Sequence, residues 1–136
     1  MAISSGLSTG LSDVFWVATG GALGASCRYG IVSVSSRFSP VFPAGTLIAN
    51  LVGCFFAGIV LSLLLQHQQL PAHFKLFILT GFLGSLTTFS AFGVESLSLA
   101  LQSKPLWAGL NILFNFSGTL LAVLLGKALM DLSLQK

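Results

Sequence analysis

Charged side chains are scarce in this chain of 136 residues. Asp, Glu, Lys and Arg together make up 7% of the sequence, whereas a soluble domain carries about 25%. The mean hydropathy is correspondingly high, at +0.95. The composition therefore excludes an ordinary soluble domain and indicates an all-α integral membrane protein. The length suits one compact unit of about four membrane-crossing helices.

The few basic residues are scattered rather than clustered. They are Arg28, Arg37, Lys75, Lys104, Lys127 and Lys136. The chain therefore has neither the basic patch of a nucleic-acid-binding protein nor the juxtamembrane cluster that binds anionic lipid. Residues 1–12 contain no Lys or Arg and are rich in Ser and Gly. We expect a flexible tail there, because a secretory signal requires a basic start.

Cysteine and histidine are equally sparse. Cys27 and Cys54 lie far apart in apolar segments, and His67 and His73 flank a loop around Pro71. None of these spacings matches a metal or redox motif. The cysteines are expected to pack as small buried residues, and the histidines to be solvated.

Most of the chain consists of apolar sequence, which is divided into four segments. They span about 14–36, 44–65, 75–100 and 105–130, so that residues 13–131 form a single transmembrane domain and 132–136 a short C-terminal tail. Segments one and two carry small residues at spacing four, such as Gly20 with Gly24 and Gly45 with Ala49. This spacing predicts close helix–helix packing in a membrane.

The third segment contains an unusual stretch, residues 81–95. It holds three glycines, four hydroxyl residues and three phenylalanines, and Gly84-Ser85 and Thr87-Thr88 are poor helix formers. We predict a helix broken within the membrane. Backbone groups freed there must be satisfied by protein, an ion or water, and such breaks usually mark ion or substrate sites. The alternative is an unbroken helix whose small face serves close packing.

Polar residues in the other segments allow two interpretations. Asn50 lies beside the small stripe of segment two, and Asn111, Asn115 and Thr119 recur every four residues in segment four. They form either a hydrated path or hydrogen-bonding contacts between helices. Arg28 lies within segment one, and Glu95 lies toward the end of segment three; either charge is costly in a bilayer and needs a partner or an interface.

The positive charges predict no preferred orientation. With four spans, Lys75, Lys127 and Lys136 fall on one side; Arg37 and Lys104 fall on the other, joined by Arg28 if that residue is counted there. Because lysine and arginine set orientation, a chain this evenly balanced is expected to insert both ways. Two copies would then pair as an antiparallel homodimer.

Three motifs together resemble the Fluc (CrcB) family of bacterial fluoride channels, over residues 20–126. In segment one, Gly20-Gly21 is followed by Gly24-Ala25 and Arg28-Tyr29; in segment two, Gly45-Thr46 is followed by Asn50 and Gly53. The most specific motif is the string 81–95, GFLGSLTTFSAFGVE.

The resemblance implies a fluoride channel rather than an enzyme, lying in the bacterial cytoplasmic membrane as a dual-topology homodimer with two pores and no nucleic-acid partner. Phe89 and Phe92 match pore phenylalanines and Asn50 a pore asparagine. Asn111, Asn115 and Thr119 match a polar track, while Ser90 and Thr88 add hydroxyl donors. Arg28 and Glu95 match charged residues near the vestibule and the end of the third helix. The carbonyls of Gly84 and Thr87 match ligands of a structural Na⁺ between the subunits, and no organic cofactor is implied.

Some positions depart from the family pattern. Ser85 stands where glycine is usual, Ala91 where threonine is common and Gly93 where serine is common, and Asn111 replaces a tyrosine of some members. These changes affect details of the ion path.

The residues themselves suit fluoride. A pore must replace the water around this strongly hydrated ion with amide and hydroxyl donors without trapping it. Phenylalanine edges carry weak positive potential, so they can attract an anion without binding it tightly. The main alternative is a small multidrug resistance-type, proton-coupled exporter, which needs a central carboxylate; Glu95 is the candidate. A third possibility is a membrane subunit that transports nothing.

Overall fold

The computed structural model describes residues 3–66 and 70–135, with residues 3–9 described by their backbone alone. His67 lies outside the described residues. The described chain is helical: α1 is Ile3–Ser35, α2 is Ala44–Gln66, α3 covers residues 72–86, α4 is Phe89–Leu101 and α5 is Pro105–Leu134. Helices α3 and α4 together make one bent span, Ala72–Leu101.

Three helical segments of the described chain are long and apolar enough to cross a membrane. They are Ala44–Gln66, Ala72–Leu101 and Pro105–Leu134. Their presence confirms an all-helical, multi-pass membrane protein. Helix α1 is not among them, although its 33 residues exceed the roughly 20 that a bilayer requires. Its glycines, serines and Arg28 make it less apolar than the others, and a fourth span stays a prediction.

The helix ends differ from the sequence-based boundaries. Helix α1 begins at Ile3, so residues 3–12 are helical where a flexible tail was predicted, and α5 continues to Leu134. Once the apolar part of a helix has formed, each further residue adds a hydrogen bond without a new nucleation cost. Residues 3–12 contain no proline to stop that extension.

The predicted break in the third segment is confirmed, between α3 and α4. Thr87 and Thr88 are extended, with ψ of 152° and 118°. Thr88 then caps α4, because its hydroxyl accepts a hydrogen bond from the Ala91 N–H at 3.2 Å. Most of α3, Leu76–Leu83, is wound as a π-helix, which the sequence did not predict. Such wider turns are often found at functional sites.

Glycines let the helices approach at backbone distance. A methyl group added at Gly20 or Gly24 of α1 would collide with the backbone of α3, and one added at Gly81 would lie 2.7 Å from the Val17 carbonyl oxygen. Gly58 and Gly126 have the same role between α2 and α5, which pack extensively together. The small-residue spacing thus predicted close packing correctly.

The interior of the described chain holds polar as well as apolar side chains. Large apolar side chains cover the outside, as expected where lipid or a second chain surrounds a protein. Six polar residues are buried beside the apolar core: Thr46, Asn50, Ser62, Ser96, Asn111 and Asn115. Because a buried polar group without a partner is costly, each of them needs a hydrogen-bond partner.

The tight turn between α4 and α5 aligns the polar faces of these two helices. Ser103 adopts a left-handed φ of 59°, the Ser103 N–H donates to the Ala100 carbonyl and the Lys104 N–H donates to the Leu99 carbonyl. This pattern terminates α4, and Pro105 then begins α5. The helices are therefore antiparallel neighbours, and the asparagines of α5 face Ser96 of α4.

Candidate functional site

Asn50 of α2 supports the backbone at the helix break. Its Oδ1 accepts from the Thr88 N–H at 2.8 Å, and its Nδ2 donates to the Thr88 carbonyl at 3.3 Å. In a continuous helix, the Thr88 N–H would donate to the carbonyl of Gly84. Asn50 therefore satisfies the extended residue and releases the Gly84 carbonyl from that bond.

A ladder of buried amides continues from Asn50. Its Nδ2 donates to Asn115 Oδ1 at 2.8 Å, and Asn115 Nδ2 donates to Asn111 Oδ1 at 2.9 Å. Asn111 Nδ2 then donates to Ser96 Oγ at 2.9 Å, and the Ser96 hydroxyl donates to the Phe92 carbonyl at 2.8 Å. We call these four side chains (Asn50, Asn115, Asn111 and Ser96) the amide ladder. It joins α2, α5 and α4 in one chain of hydrogen bonds.

A cavity of about 210 Å³ lies against the break and one side of the ladder. Its wall combines aromatic rings with amide, hydroxyl and thiol groups from α2, α4, α5 and the break itself. The lining residues are Asn50, Cys54, Thr87, Thr88, Phe89, Phe92, Asn115, Phe116 and Thr119. Within the part of the chain that the structure describes, neither Lys nor Arg lines it, so the wall offers polar groups but no cation that would hold an anion tightly.

Two phenylalanines stand at the start of α4, beside the cavity. The Phe89 and Phe92 ring centroids are 5.3 Å apart, with an interplanar angle of 60°, so the edge of one ring faces the other. Phe89 is 80% exposed, which is unusual for a ring next to buried amides. It therefore presents most of its apolar surface outside this single chain.

A carboxylate occupies the same junction of α2 and α4. The Thr46 hydroxyl donates to Glu95 Oε1 at 2.6 Å. Glu95 Oε2 is buried and has no hydrogen-bond partner within the described residues. Thr46 lies one turn before Asn50 on α2, and Glu95 directly precedes Ser96 on α4, so this pair lies beside the ladder.

Comparison with known proteins decides the family. The model of the family described as CrcB-like protein, Camphor Resistance (CrcB), matches residues 15–127. The chain belongs to this CrcB family. A Salinibacter ruber protein named fluoride-specific ion channel FluC is 50% identical over 103 residues, 74% of this chain and 75% of that protein. The Tolumonas auensis protein of the same name is 38% identical over 122 residues, 90% of this chain and 96% of its own.

A third relative points the same way. The Pasteurella multocida protein, also named fluoride-specific ion channel FluC, is 42% identical over 117 residues, 86% of this chain and 88% of that protein. Membership of the CrcB family confirms the resemblance read from the sequence motifs. It also confirms that the chain is not an enzyme, since these CrcB relatives are named as ion channels.

The structure places most of the residues predicted for the fluoride path of this CrcB chain around one cavity. Asn50, Thr88, Phe89, Phe92, Asn115 and Thr119 line one cavity. Two others do not reach its wall. Asn111 is fully buried behind Asn115, and Ser90 is exposed, with its hydroxyl 3.2 Å from that of Thr88. Their roles as direct ligands remain predictions.

The charged and sodium-binding candidates lie apart from the cavity, with one exception. Arg28 is half-buried on α1 and is absent from the wall. Gly84 is exposed, whereas Thr87 lines the cavity, and its hydroxyl donates to the Leu83 carbonyl at 2.9 Å. This bond engages the Thr87 hydroxyl proton, while the hydroxyl oxygen and the backbone carbonyl of Thr87 keep their lone pairs.

Sequence reasoning missed four residues of the site. Thr46 and Cys54 lie four positions before and after Asn50, and Ser96 lies four after Phe92. The helical repeat places each on the same face as its neighbour, so this signal was available. Phe116 lies three positions before Thr119, but its apolar side chain gave no signal that distinguishes it from Ile112, Leu113 and Phe114 on the same helix.

Proposed function

We propose that this chain is a fluoride-selective channel that exports cytoplasmic fluoride by passive conduction and so relieves fluoride toxicity. The observation that carries the proposal is the cavity at the helix break, where the rings of Phe89 and Phe92 share one wall with amide and hydroxyl groups and, among the described residues, with no Lys or Arg. The names of the CrcB relatives support the same ion.

The wall suits an anion that must be dehydrated and then released. Amides and hydroxyls replace water as donors, and the positive ring edges of Phe89 and Phe92 attract an anion without a full charge. A lysine or arginine at this position would bind fluoride too firmly, since conduction requires that exit stays easy. Asn50, Thr88, Asn115 and Thr119 are the polar residues that line this route, and an ion must compete with the internal hydrogen bonds of both amides for their donors.

The working unit we propose is an antiparallel, dual-topology homodimer with two pores, in the bacterial cytoplasmic membrane. Each chain would cross the bilayer four times, with α1 as the fourth span. The even Lys/Arg balance favours both orientations, and a second copy gives the 80% exposed Phe89 a surface to face. The partner would then close the open side of each cavity.

A structural Na⁺ fits the break. Sodium is a hard cation that prefers oxygen ligands, as Ca²⁺ and Mg²⁺ do, and the break provides backbone carbonyls. The Gly84 carbonyl has lost its donor to Asn50, and Gly84 is exposed where a second copy can approach. We propose that Gly84 and Thr87 carbonyls from both chains hold the ion. Arg28 and Glu95 would shape the potential at the pore ends.

Efflux from proteoliposomes tests the function. Purified protein in vesicles loaded with fluoride should release it on addition of an ionophore for the counter-ion, without any proton gradient, and should release far less chloride. No fluoride efflux above that of empty vesicles would refute the channel. Efflux that requires a proton gradient and stops in Glu95→Gln would instead identify the proton-coupled exporter.

A further inference from the structure

Most polar groups of the cavity wall are already hydrogen-bonded within the chain, and this limits how firmly the wall can hold an ion. We infer that Asn111 is a positioning residue that keeps fluoride binding weak, by occupying an N–H group of Asn115 that could otherwise donate to the ion. The inference rests on the proposed fluoride channel and deepens it. Asn111 itself lies outside the cavity wall and is fully buried.

Two hydroxyl groups of the wall are directed to backbone carbonyls one turn earlier in the chain. Thr87 donates to the Leu83 carbonyl at 2.9 Å, and Thr119 donates to the Asn115 carbonyl at 2.5 Å. A hydroxyl group has only one proton to donate. An ion that takes either proton must therefore break a bond that has already formed.

The two amides of the wall have both of their N–H groups engaged in the same way. An amide nitrogen carries two N–H groups. Asn50 Nδ2 donates to the Thr88 carbonyl at 3.3 Å and to Asn115 Oδ1 at 2.8 Å. Asn115 Nδ2 donates twice to Asn111, at 2.9 Å to Oδ1 and at 3.1 Å to the backbone carbonyl. The wall is therefore polar, but an ion that reaches it finds these amide donors already bonded.

Asn111 is the place where this arrangement can be changed without altering the wall. The other acceptors in these contacts are backbone carbonyls or belong to the wall itself. Asn111 Oδ1, in contrast, is a side-chain acceptor behind the wall. Its orientation is fixed, because Asn111 Nδ2 donates to Ser96 Oγ at 2.9 Å and leaves Oδ1 to accept from Asn115.

A site whose donors are engaged binds an ion weakly, because each bond to the ion replaces one within the protein. Such an exchange yields only a small part of the energy of a full hydrogen bond. Weak binding favours conduction, which requires that the ion leaves easily. Without the Asn111 acceptor, one N–H of Asn115 would be a buried donor lacking a partner, which is costly. An ion that accepts from this N–H removes that cost, so fluoride should bind more tightly.

The test measures the initial rate of fluoride efflux from proteoliposomes at a series of internal fluoride concentrations. Asn111→Leu keeps the branched shape of the side chain and removes the Oδ1 acceptor for Asn115. The half-saturating fluoride concentration should fall roughly 3- to 10-fold, the equivalent of about one net hydrogen bond. Loss of a direct ligand would raise that concentration instead. Loss of a merely structural residue would reduce the amount of active protein and leave the concentration unchanged.

Ser133→Ala is the matched control on the same helix. Ser133 is exposed and its hydroxyl donates to the Leu129 carbonyl at 3.1 Å, so its loss should leave the half-saturating concentration unchanged. An unchanged or raised half-saturating concentration in assembled Asn111→Leu overturns the inference.

The parent chain decides if Asn111→Leu does not assemble. Parent efflux that rises in proportion to fluoride through roughly 1 mM supports weak binding, whereas saturation below that concentration shows a tight site and overturns the inference. A parent chain without fluoride efflux overturns the proposed function instead.

Discussion

Asn50 offers the sharpest test of the site, because one side chain supports the helix break and also faces the cavity. It makes three hydrogen bonds, at 2.8 Å to the Thr88 N–H, 3.3 Å to the Thr88 carbonyl and 2.8 Å to Asn115 Oδ1. Two substitutions separate its roles. Asn50→Leu removes all three bonds, whereas Asn50→Asp keeps an acceptor for the Thr88 N–H and loses both donations.

The expected magnitudes follow from these contacts. In Asn50→Leu, the Thr88 N–H and Asn115 Oδ1 lose their partners, and each orphaned buried group costs about 1–3 kcal/mol. We therefore expect the free energy of unfolding to fall by roughly 2–6 kcal/mol. Asn50→Asp spares the Thr88 N–H, but it buries a charge and sets an oxygen against Asn115 Oδ1 and the Thr88 carbonyl, so it should also be destabilised. As a carboxylate about 4 Å from the ion, however, it would repel fluoride by about 4 kcal/mol at an effective dielectric constant near 20.

Two assays measure the effect on stability and the effect on fluoride conduction separately. Thermal unfolding in detergent should place both Asn50→Leu and Asn50→Asp below the parent. Fluoride efflux from vesicles should fall about 1,000-fold in Asn50→Asp, the equivalent of that repulsion. Size-exclusion chromatography must first show that the variants assemble as the parent does. Parent-rate efflux in assembled Asn50→Asp would mean that Asn50 does not face the ion, and the pore assignment would be wrong.

Three further expectations concern the rings, the topology and the cation. Phe89→Ile and Phe92→Ile should each cut fluoride efflux at least tenfold, because a barrier to conduction that is higher by about 1.4 kcal/mol slows efflux by that factor. Both variants should still assemble. Phe56→Ile, outside the cavity wall, should conduct normally. A cysteine introduced at Ser133 in a background without the native cysteines should be labelled from both sides of the membrane in cells; labelling from one side alone would contradict dual topology. If the Gly84 carbonyls bind Na⁺, replacing Na⁺ by a large organic cation should reduce fluoride efflux. Undiminished fluoride efflux, together with an empty dimer axis in a sodium-free structure, would exclude that site.

Local chemistry was enough to predict much of this protein. Scarce charge and long apolar segments predicted membrane helices, because a bilayer accepts little else. Adjacent glycine, serine and threonine residues predicted the break near Thr87 and Thr88, and glycines at spacing four predicted close packing. These features depend on residues within one or two turns of each other, so they can be predicted from the sequence alone. The motifs around Phe89 also identified the CrcB family from the sequence alone.

Contacts between distant segments depended on the tertiary structure. Asn50 and Thr88 are 38 residues apart, and Asn50 and Asn115 are 65 apart; each pair meets only because α2 packs against both neighbours at a particular height. The π-helical winding of α3 is equally a result of packing, since its residues are ordinary helix formers such as leucine and phenylalanine.

Asn111 shows the difference most clearly. Its spacing from Asn115 predicts one polar face of α5 but cannot distinguish a residue in the cavity wall from one behind it. That distinction depends on how closely α4 approaches α5, which the turn at Ser103 and the contact between Asn111 and Ser96 decide. Helical periodicity determines which side chains share a face, and only the packing of the neighbouring helices determines which of them can meet an ion.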